Sequence, residues 1–576
     1  MIDRLVQYAK HKHLVTTPGY APKTVKWLIW LDSQGKLKDV VELGNAGQPR
    51  NPGREFPRCP DLQQNELIAG GITRSHFLVD TCDVVALLGA QADKRKQDKH
   101  DYFVGLLKQA SADIPECQTA ATALDDQSTL DKIRQRLEQL RAKPTDKVTL
   151  RVDNVTLVDD SRWHRWWDKY RQSLQGAGAG TASQMVCFAT GQPNEPTPTH
   201  PKISGLADVG GQSSGSVLVG FDKDAFTSFG LEQSANCAVS QEATYAYRAA
   251  LNELIARSSH RLVNQKVLHW YSADVATADD PIALLLGEDR EQQEASAQVQ
   301  VQRLMQSLHR GERPSLLESR YYVLTVAGSG GRVMVRDWME GDFEELVANI
   351  NNWFDQFTIV HREGDRLADP PKFMAVLGAL VRDIKDVPAP TATKLFRCAL
   401  TGEGIPYDAM AQALTRVKVD IVQDQPFNHA RMGLLKAYHV RKGGTDMEAR
   451  LNPNHPSPAY HCGRLMAVLA NLQRAALGDV GAGVVQRFYA AASATPALIL
   501  GRIVRTSQFH IDKVRADSPG LAVWYENQIA EIMAAIGDAI PRTLTLEEQS
   551  LFALGYYQQL AHSRTRQNRQ EEEQTQ

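Results

Sequence analysis

The chain has 576 residues, 43% of them hydrophobic and 23% charged, and a formal net charge of −2. Such a length accommodates about three or four domains with a sizeable core. The near-neutral balance excludes a globally basic nucleic-acid coat but not local basic patches, and no uninterrupted apolar run reaches the ~18 residues of a membrane span.

Seven cysteines, Cys59, Cys82, Cys117, Cys187, Cys237, Cys398 and Cys462, include no pair at zinc-site spacing, and their number is odd. Free thiols in a reducing cytoplasm are the simplest reading. Residues 1–30 lack the continuous apolar core of a signal peptide.

In chain order, residues 1–15 predict a short amphipathic helix, with Ile2, Leu5, Val6 and Tyr8 on one face. After the turn TTPGYAP, Lys23 to Leu31 and Leu37 to Leu43 predict a hairpin around Ser33-Gln34-Gly35-Lys36. Residues 48–60 are proline-rich and basic, with Arg50, Arg54 and Arg58. They predict no regular element, only a solvated loop or a phosphate contact. Thr73, Arg74, Ser75 and His76 form a polar knot ahead of an apolar segment. Residues 91–145 read as charged helices, and 147–158 as a hairpin turning at Asp153-Asn154. Trp163, Trp166 and Trp167 could stack bases, but their helical spacing favours a core.

Met185 to Thr190 predicts a strand. The most informative stretch follows, from His200 to Tyr247. Its centre is the glycine-rich turn Gly210-Gly211-Gln212-Ser213-Ser214-Gly215-Ser216. Glycines allow left-handed backbone angles and close approach to a ligand. Gln212, Ser213 and Ser214 can then meet a phosphate or a base edge, although a mobile surface loop would read the same way. A P-loop does not fit, because no Gly-Lys-Ser/Thr follows the last glycine. Val217 to Phe221 predicts a buried strand, and a helix opens near Ser240.

A strand over Lys266 to Tyr271, a loop over 272–286 and a long polar helix over 288–309 come next. Arg320 to Trp338 predicts a hairpin whose turn, Gly328-Ser329-Gly330-Gly331, needs no further explanation. Beyond Asp342 only helical patterns occur. The fold class predicted is an α+β N-terminal domain with mixed sheets and hairpins, followed by an all-α C-terminal helical bundle. The expected divisions are 1–342, a helical connecting region 343–440, and a bundle 447–576 with a disordered tail from about residue 564.

No HExxH, CxxC pair or Walker sequence is present. His11 and His13 flank Lys12 without a nearby carboxylate or cysteine, which suits a solvated or phosphate-facing role better than a metal pair. Asp222 and Asp224 follow a strand, where metal-dependent nucleases place acids, but capping of a short helix by Asp224 is the better account. No catalytic residue, metal or cofactor is assigned. One helical region is basic: Arg487, Arg502, Arg505, Lys513 and Arg515, with Asp512 the only acid between 481 and 515. Arg502 and Arg505 fall one turn apart on one face, which suits a nucleic-acid backbone or ordinary salt-bridged helices.

Several blocks carry a resemblance. HPKISG, GGQSSG and the run to RAALNEL look like the signature of the type I-C CRISPR large subunit, part of the RNA-guided Cascade surveillance complex. PGYAPKTVKWLIWLD resembles that family's opening strand, and YYVLTVAGSGGRVMVRDW its YVL…RLSVR-x-W segment. NPNHPSPAYHCGRL, RFYAAASATPALILGRIVR and SLFALGYYQQ are similar to its C-terminal blocks, in the same order. The asparagine that the family carries near residues 73–76 is absent.

The resemblance implies a non-catalytic cytoplasmic subunit that works with a guide RNA, target double-stranded DNA, the Cascade backbone and guide-end subunits, and a helicase-nuclease. Base pairing with the guide reads the target, while protein reads a short flanking duplex motif, the PAM. By resemblance, Gln212 contacts the PAM minor groove or the duplex fork, with Gly211, Ser213 and Ser214 beside it and Arg74, Ser75 and His76 as further candidates. Arg50, Arg54, Arg487, Arg502 and Arg505 would hold backbone phosphates. The resemblance also implies a small subunit translated separately from the C-terminal region. Lys442-Gly443-Gly444 can be encoded with a ribosome-binding sequence a short spacer ahead of Met447, which marks Met447 as its start, with Met432 as the other candidate. A metal-dependent nuclease using Asp222 or Asp224, and a guide-independent DNA-binding scaffold, are the alternatives.

Overall fold

The computed structural model describes the chain apart from residues 15–16, 46–50, 63–65, 68–71, 177–183, 222, 288–293, 365, 424, 426, 445–446, 479–482 and 576, and apart from the side chains of 175–176, 224, 294–296 and 566–575. Two compact units form. One comprises Met1–Arg257 with Gly328–Met334, the other Ser258–Ala327 with Val335–Gln576.

The first unit is α+β. Its opening helix, Ile2–His11, buries Leu5, Val6, Tyr8 and Ala9, the one-sided stripe its 3.6-residue period requires. The strand expected over Lys23–Leu31 is divided at Lys26. Trp27–Leu31 pairs antiparallel with Leu37–Glu42 and parallel with Lys147–Val152. Its near-continuous apolar run, WLIWL, is what a central strand covered on both faces needs. Tyr20–Val25 turns away and pairs instead with Arg54–Pro60. No strand was expected there, because of the prolines. Among the described residues the sheet consists of these two strands, so each is an edge there. Pro57 falls in the register shift between the pairs Ala21–Cys59 and Lys23–Phe56. Edges and bulges are the sheet positions that demand no proline N–H.

Helices Lys94–Ala110, Pro115–Asp125 and Gln127–Gln139 fill the charged stretch, and their apolar faces enter the same core as the mixed sheet. Trp163 and Trp167 are fully buried on helix Arg162–Gly176, one turn apart as expected of core residues. Lys147–Val152 and Val155–Thr156 form the hairpin predicted to turn at Asp153. Two expected strands shrink to two residues each: Met185–Val186 and Ser216–Val217. Leu218 and Val219, meant to continue the latter, are only half-buried.

In the second unit, Ser259–Leu262, Gln265–Tyr271 and the strand that opens at Arg320, as far as Ala327, run antiparallel. The predicted loop 272–286 contains a helix, Pro281–Leu286. Asp280 caps it, accepting from the amides of Ile282 (3.1 Å) and Ala283 (3.0 Å), and Pro281 occupies the first turn, where its missing N–H costs nothing. From Phe343 onward the named elements are helical. One apolar core runs from Leu262 to Ala561.

Helices Pro458–Leu477 and Leu546–Thr575 cross at two glycines. A Cβ on Gly463 would lie 2.8 Å from the Tyr556 amide nitrogen, and one on Gly555 2.8 Å from the Tyr460 carbonyl carbon. Arg464 is 1% exposed at this crossing. Its guanidinium donates to Gln559 Oε1 (3.0 Å), Glu531 Oε1 (3.2 Å) and the Pro453 carbonyl (3.3 Å). The blocks PAYHCGRL and LGYYQQ are therefore the two halves of one helix packing. The helix that ends at Thr575 also runs through the segment expected to be a disordered tail from about 564. Its Gln, Glu and Arg residues have high helix propensity and extend an element already anchored by its buried first half.

Candidate nucleic-acid interface

The glycine-rich turn of residues 210–216 packs backbone to backbone on the hairpin turn of residues 328–331, within the first unit. A Cβ on Gly328 would fall on the amide of Gly211, and one on Gly210 would lie 2.8 Å from the Gly328 oxygen. The Val217 amide donates to the Gly331 oxygen at 2.8 Å, beginning a parallel pairing of Val217 with Arg332. The turn is braced from inside as well. Gly211 N donates to the Leu206 oxygen (2.8 Å), Gly215 N to the Gln212 oxygen (3.0 Å), and Gln212 N to the Oγ of fully buried Ser216 (3.3 Å). Gly210 and Gly215 have φ of 89° and 96°, the left-handed region that favours glycine.

This bracing leaves Gln212, Ser213 and Ser214 exposed and Gly211 half-buried. The Gln212 amide lies across Gly331, where a Cβ would stand 3.1 Å from its Cδ. A neutral amide and two hydroxyls, each both donor and acceptor, are thus held on a fixed backbone. The hairpin turn read as self-explanatory from sequence is half of this platform. Its four residues include three glycines, and that density was the available signal of a close backbone approach.

Phe229 was also missed. It sits on the turn closed by Leu231 N donating to the Ser228 oxygen (2.8 Å), has φ of 53°, and is 102% exposed. Asp222 lies outside the described residues, as does the side chain of Asp224. Among the described residues, no group of three or more His, Cys, Asp or Glu side chains is arranged to hold a metal ion.

Arg74 and Ser75 are buried, at 8% and 1% exposure. Arg74 donates to the Glu66 carbonyl (3.0 Å) and to the Tyr102 hydroxyl (3.1 Å). His76 Nδ1 accepts from the Leu62 amide (3.3 Å) and stands 3.8 Å from Asp61. Burial and the nearby Lys23 push its pKa down to about 4. Of the three, His76 joins the cluster around Asp61, which also meets Arg248 (2.8 Å) and Lys23 (3.4 Å). Arg50 lies outside the described residues. Arg54 is exposed, 3.4 Å from Asp159 and over the ring of Phe56.

In the second unit, Arg487 stands on helix Val484–Ala494, and Arg502, Arg505, Lys513 and Arg515 on helix Pro496–Asp517. All five are exposed. Arg515 is paired with Asp512 (3.3 Å) and Glu526 (2.5 Å). Among the described residues, no carboxylate pairs with Arg487, Arg502, Arg505 or Lys513. Leu498 and Phe509, 73% and 77% exposed, lie on the same helix face as Arg502 and Arg505, at spacings of three or four residues. The spacing of Phe509 from Arg505 in the sequence is the signal of an aromatic within that basic stripe. Between these helices and Pro458–Leu477 lies a cavity of about 230 Å³ lined by Arg487 and Arg502 among others.

Met447 and Met432 are both buried in the helical core, at 7% and 0% exposure. The chain matches the family described as CRISPR-associated protein (Cas_Csd1) over residues 3–563. No curated protein matches it.

Proposed function

Because the chain belongs to the Csd1 family of CRISPR-associated proteins, whose members are Cascade-type large subunits, we propose that it recognises the PAM in double-stranded DNA through the platform built from its two glycine turns. The observation that carries this reading is the exposure of Gln212, Ser213 and Ser214 on a backbone pinned by Gly210, Gly211 and Gly328. Rigid presentation matters because base-edge contacts discriminate only when donor and acceptor positions are fixed. A glutamine amide can donate to minor-groove acceptors and accept from the guanine amino group. Phe229 provides an apolar wedge of the kind that unstacks a base step as a duplex opens.

The helical unit then holds the displaced strand on Arg487, Arg502 and Arg505, which lack carboxylate partners among the described residues and so keep their charge for phosphate. The subunit has no catalytic role. It assembles with guide RNA and the other Cascade subunits, and a helicase-nuclease docks on the opened complex. A second product starting at Met447 supplies the small subunit.

The test is duplex binding by the guide-loaded complex, on targets with and without the PAM. Gln212→Ala should shrink the preference for the PAM-bearing duplex while assembly is unchanged. Magnesium- or manganese-dependent cleavage by the purified chain, abolished by Asp222→Asn or Asp224→Asn, would instead establish a nuclease.

A further inference from the structure

The cavity of about 230 Å³ in the second unit is lined by Arg487, Phe488, Arg502, Thr506, His510 and Gln473, together with apolar side chains. It is smaller than the ~300–1,000 Å³ of ordinary small-molecule pockets, so it suits one compact ring system. Phe488 supplies an apolar aromatic wall. Thr506 and His510 offer hydrogen-bonding edges. Gln473 is oriented by the Val484 amide, which donates to its Oε1 at 2.7 Å, leaving the Gln473 amino group available to donate. Burial, and then Lys513, lower the pKa of His510, which favours a neutral ring with one donor and one acceptor. Arg487 and Arg502 bring uncompensated positive charge to the same lining.

A flat polar-edged ring beside an anion is the chemistry of a nucleotide. Arg505 and exposed Phe509 continue the basic and aromatic surface along the helix, so the occupant is one unit of a longer strand. A base stacked inside a duplex cannot enter such a cavity; an unpaired one can.

We propose that this cavity receives one base of single-stranded DNA, packed against Phe488, while the adjoining phosphates rest on Arg487 and Arg502. This rests on the reading of the helical unit as the surface that holds the displaced strand.

The experiment measures binding of a fluorescent single-stranded DNA oligonucleotide to the full-length chain, with an abasic oligonucleotide of equal length as comparison. Base stacking on protein aromatics is sequence-tolerant and costly to remove, so the abasic strand should bind about tenfold more weakly. Phe488→Leu should weaken the base-bearing strand by a similar factor and leave the abasic strand unchanged. Arg502→Ala should weaken both equally. The abasic comparison needs no variant, so a folding defect in Phe488→Leu cannot hide the answer. Equal binding of both strands, with Arg502→Ala still harmful, would overturn the base cavity and leave the strand-holding surface standing. Indifference to both Arg487→Ala and Arg502→Ala would remove the surface and the cavity together. Competition by free deoxynucleoside monophosphate as effective as the strand itself would overturn the assignment to a strand.

Discussion

Gly328 packs so closely on Gly211 that a Cβ on Gly328 would clash with the Gly211 amide nitrogen. No side chain can separate these two turns without moving the loop that presents Gln212. Gly328→Ala should therefore lower unfolding stability by about 1–3 kcal/mol, the range for forcing extra atoms into a packed contact. It should also weaken PAM-dependent duplex binding, because the loop that presents Gln212 must shift. Chemical denaturation and duplex binding check the two halves. A variant of unchanged stability with unchanged PAM preference would show that the platform tolerates displacement.

Asp61 ties three parts of the first unit through Arg248, Lys23 and His76. Burial alone would raise its pKa, but Arg248 and Lys23 outweigh this and hold the carboxyl below the usual range. Asp61→Asn leaves buried positive charges uncompensated, which typically costs about 3–5 kcal/mol. The expected outcome is a large fall in denaturation midpoint. A loss below about 1 kcal/mol would mean that water reaches the cluster and screens it.

Stability should fall as pH drops from about 6.5 to about 4. His200 accepts or donates across 2.7 Å to the Tyr247 hydroxyl, and burial pushes its pKa down to about 4. His439 lies 2.5 Å from Ser550 Oγ, with its pKa also lowered to about 4 by burial. Their folded values lie below the unfolded value, so between the two the unfolded chain binds more protons. The contribution is fully present above about pH 6.5 and is lost as pH falls towards about 4, by up to about 1.4 kcal/mol per pH unit for each proton. Asp61 works in the same direction at lower pH. Thermal midpoints at pH 7, 6 and 5 test this; a flat profile would contradict it.

Met447 is proposed as the start of a second product. Replacing its codon with a non-initiating leucine codon should abolish that product and leave the full-length chain folded, since Leu for Met conserves core volume. The product would expose surfaces that the full chain covers, including Tyr557, whose hydroxyl donates to the Val360 carbonyl at 2.6 Å and whose ring lies 5.1 Å from that of Phe427. It should therefore be recovered in association with a partner. Immunoblotting for the C-terminus reads both outcomes, and survival of the product points to Met432 or another start.

Local pattern was enough to determine much of this chain. The apolar period marked the helices beyond Asp342, the glycines marked the hairpin turn at 328–331, and one-turn spacing put Trp163 and Trp167 in the core. Recurrent blocks such as GRL and LGYY identified the family, and the structure supplies their physical reason in the crossing at Gly463 and Gly555. Only tertiary structure decided which distant segments meet. Arg74 is polar and looked available for DNA, yet its partners Glu66 and Tyr102 enclose it. Arg54–Pro60 became a strand because Tyr20–Val25 offered an edge that accepts proline. Above all, residues 210–216 and 328–331 lie more than a hundred positions apart, and each reads as an ordinary turn alone. Periodicity reports the environment of one element, whereas backbone contact between two turns depends on how the intervening chain folds.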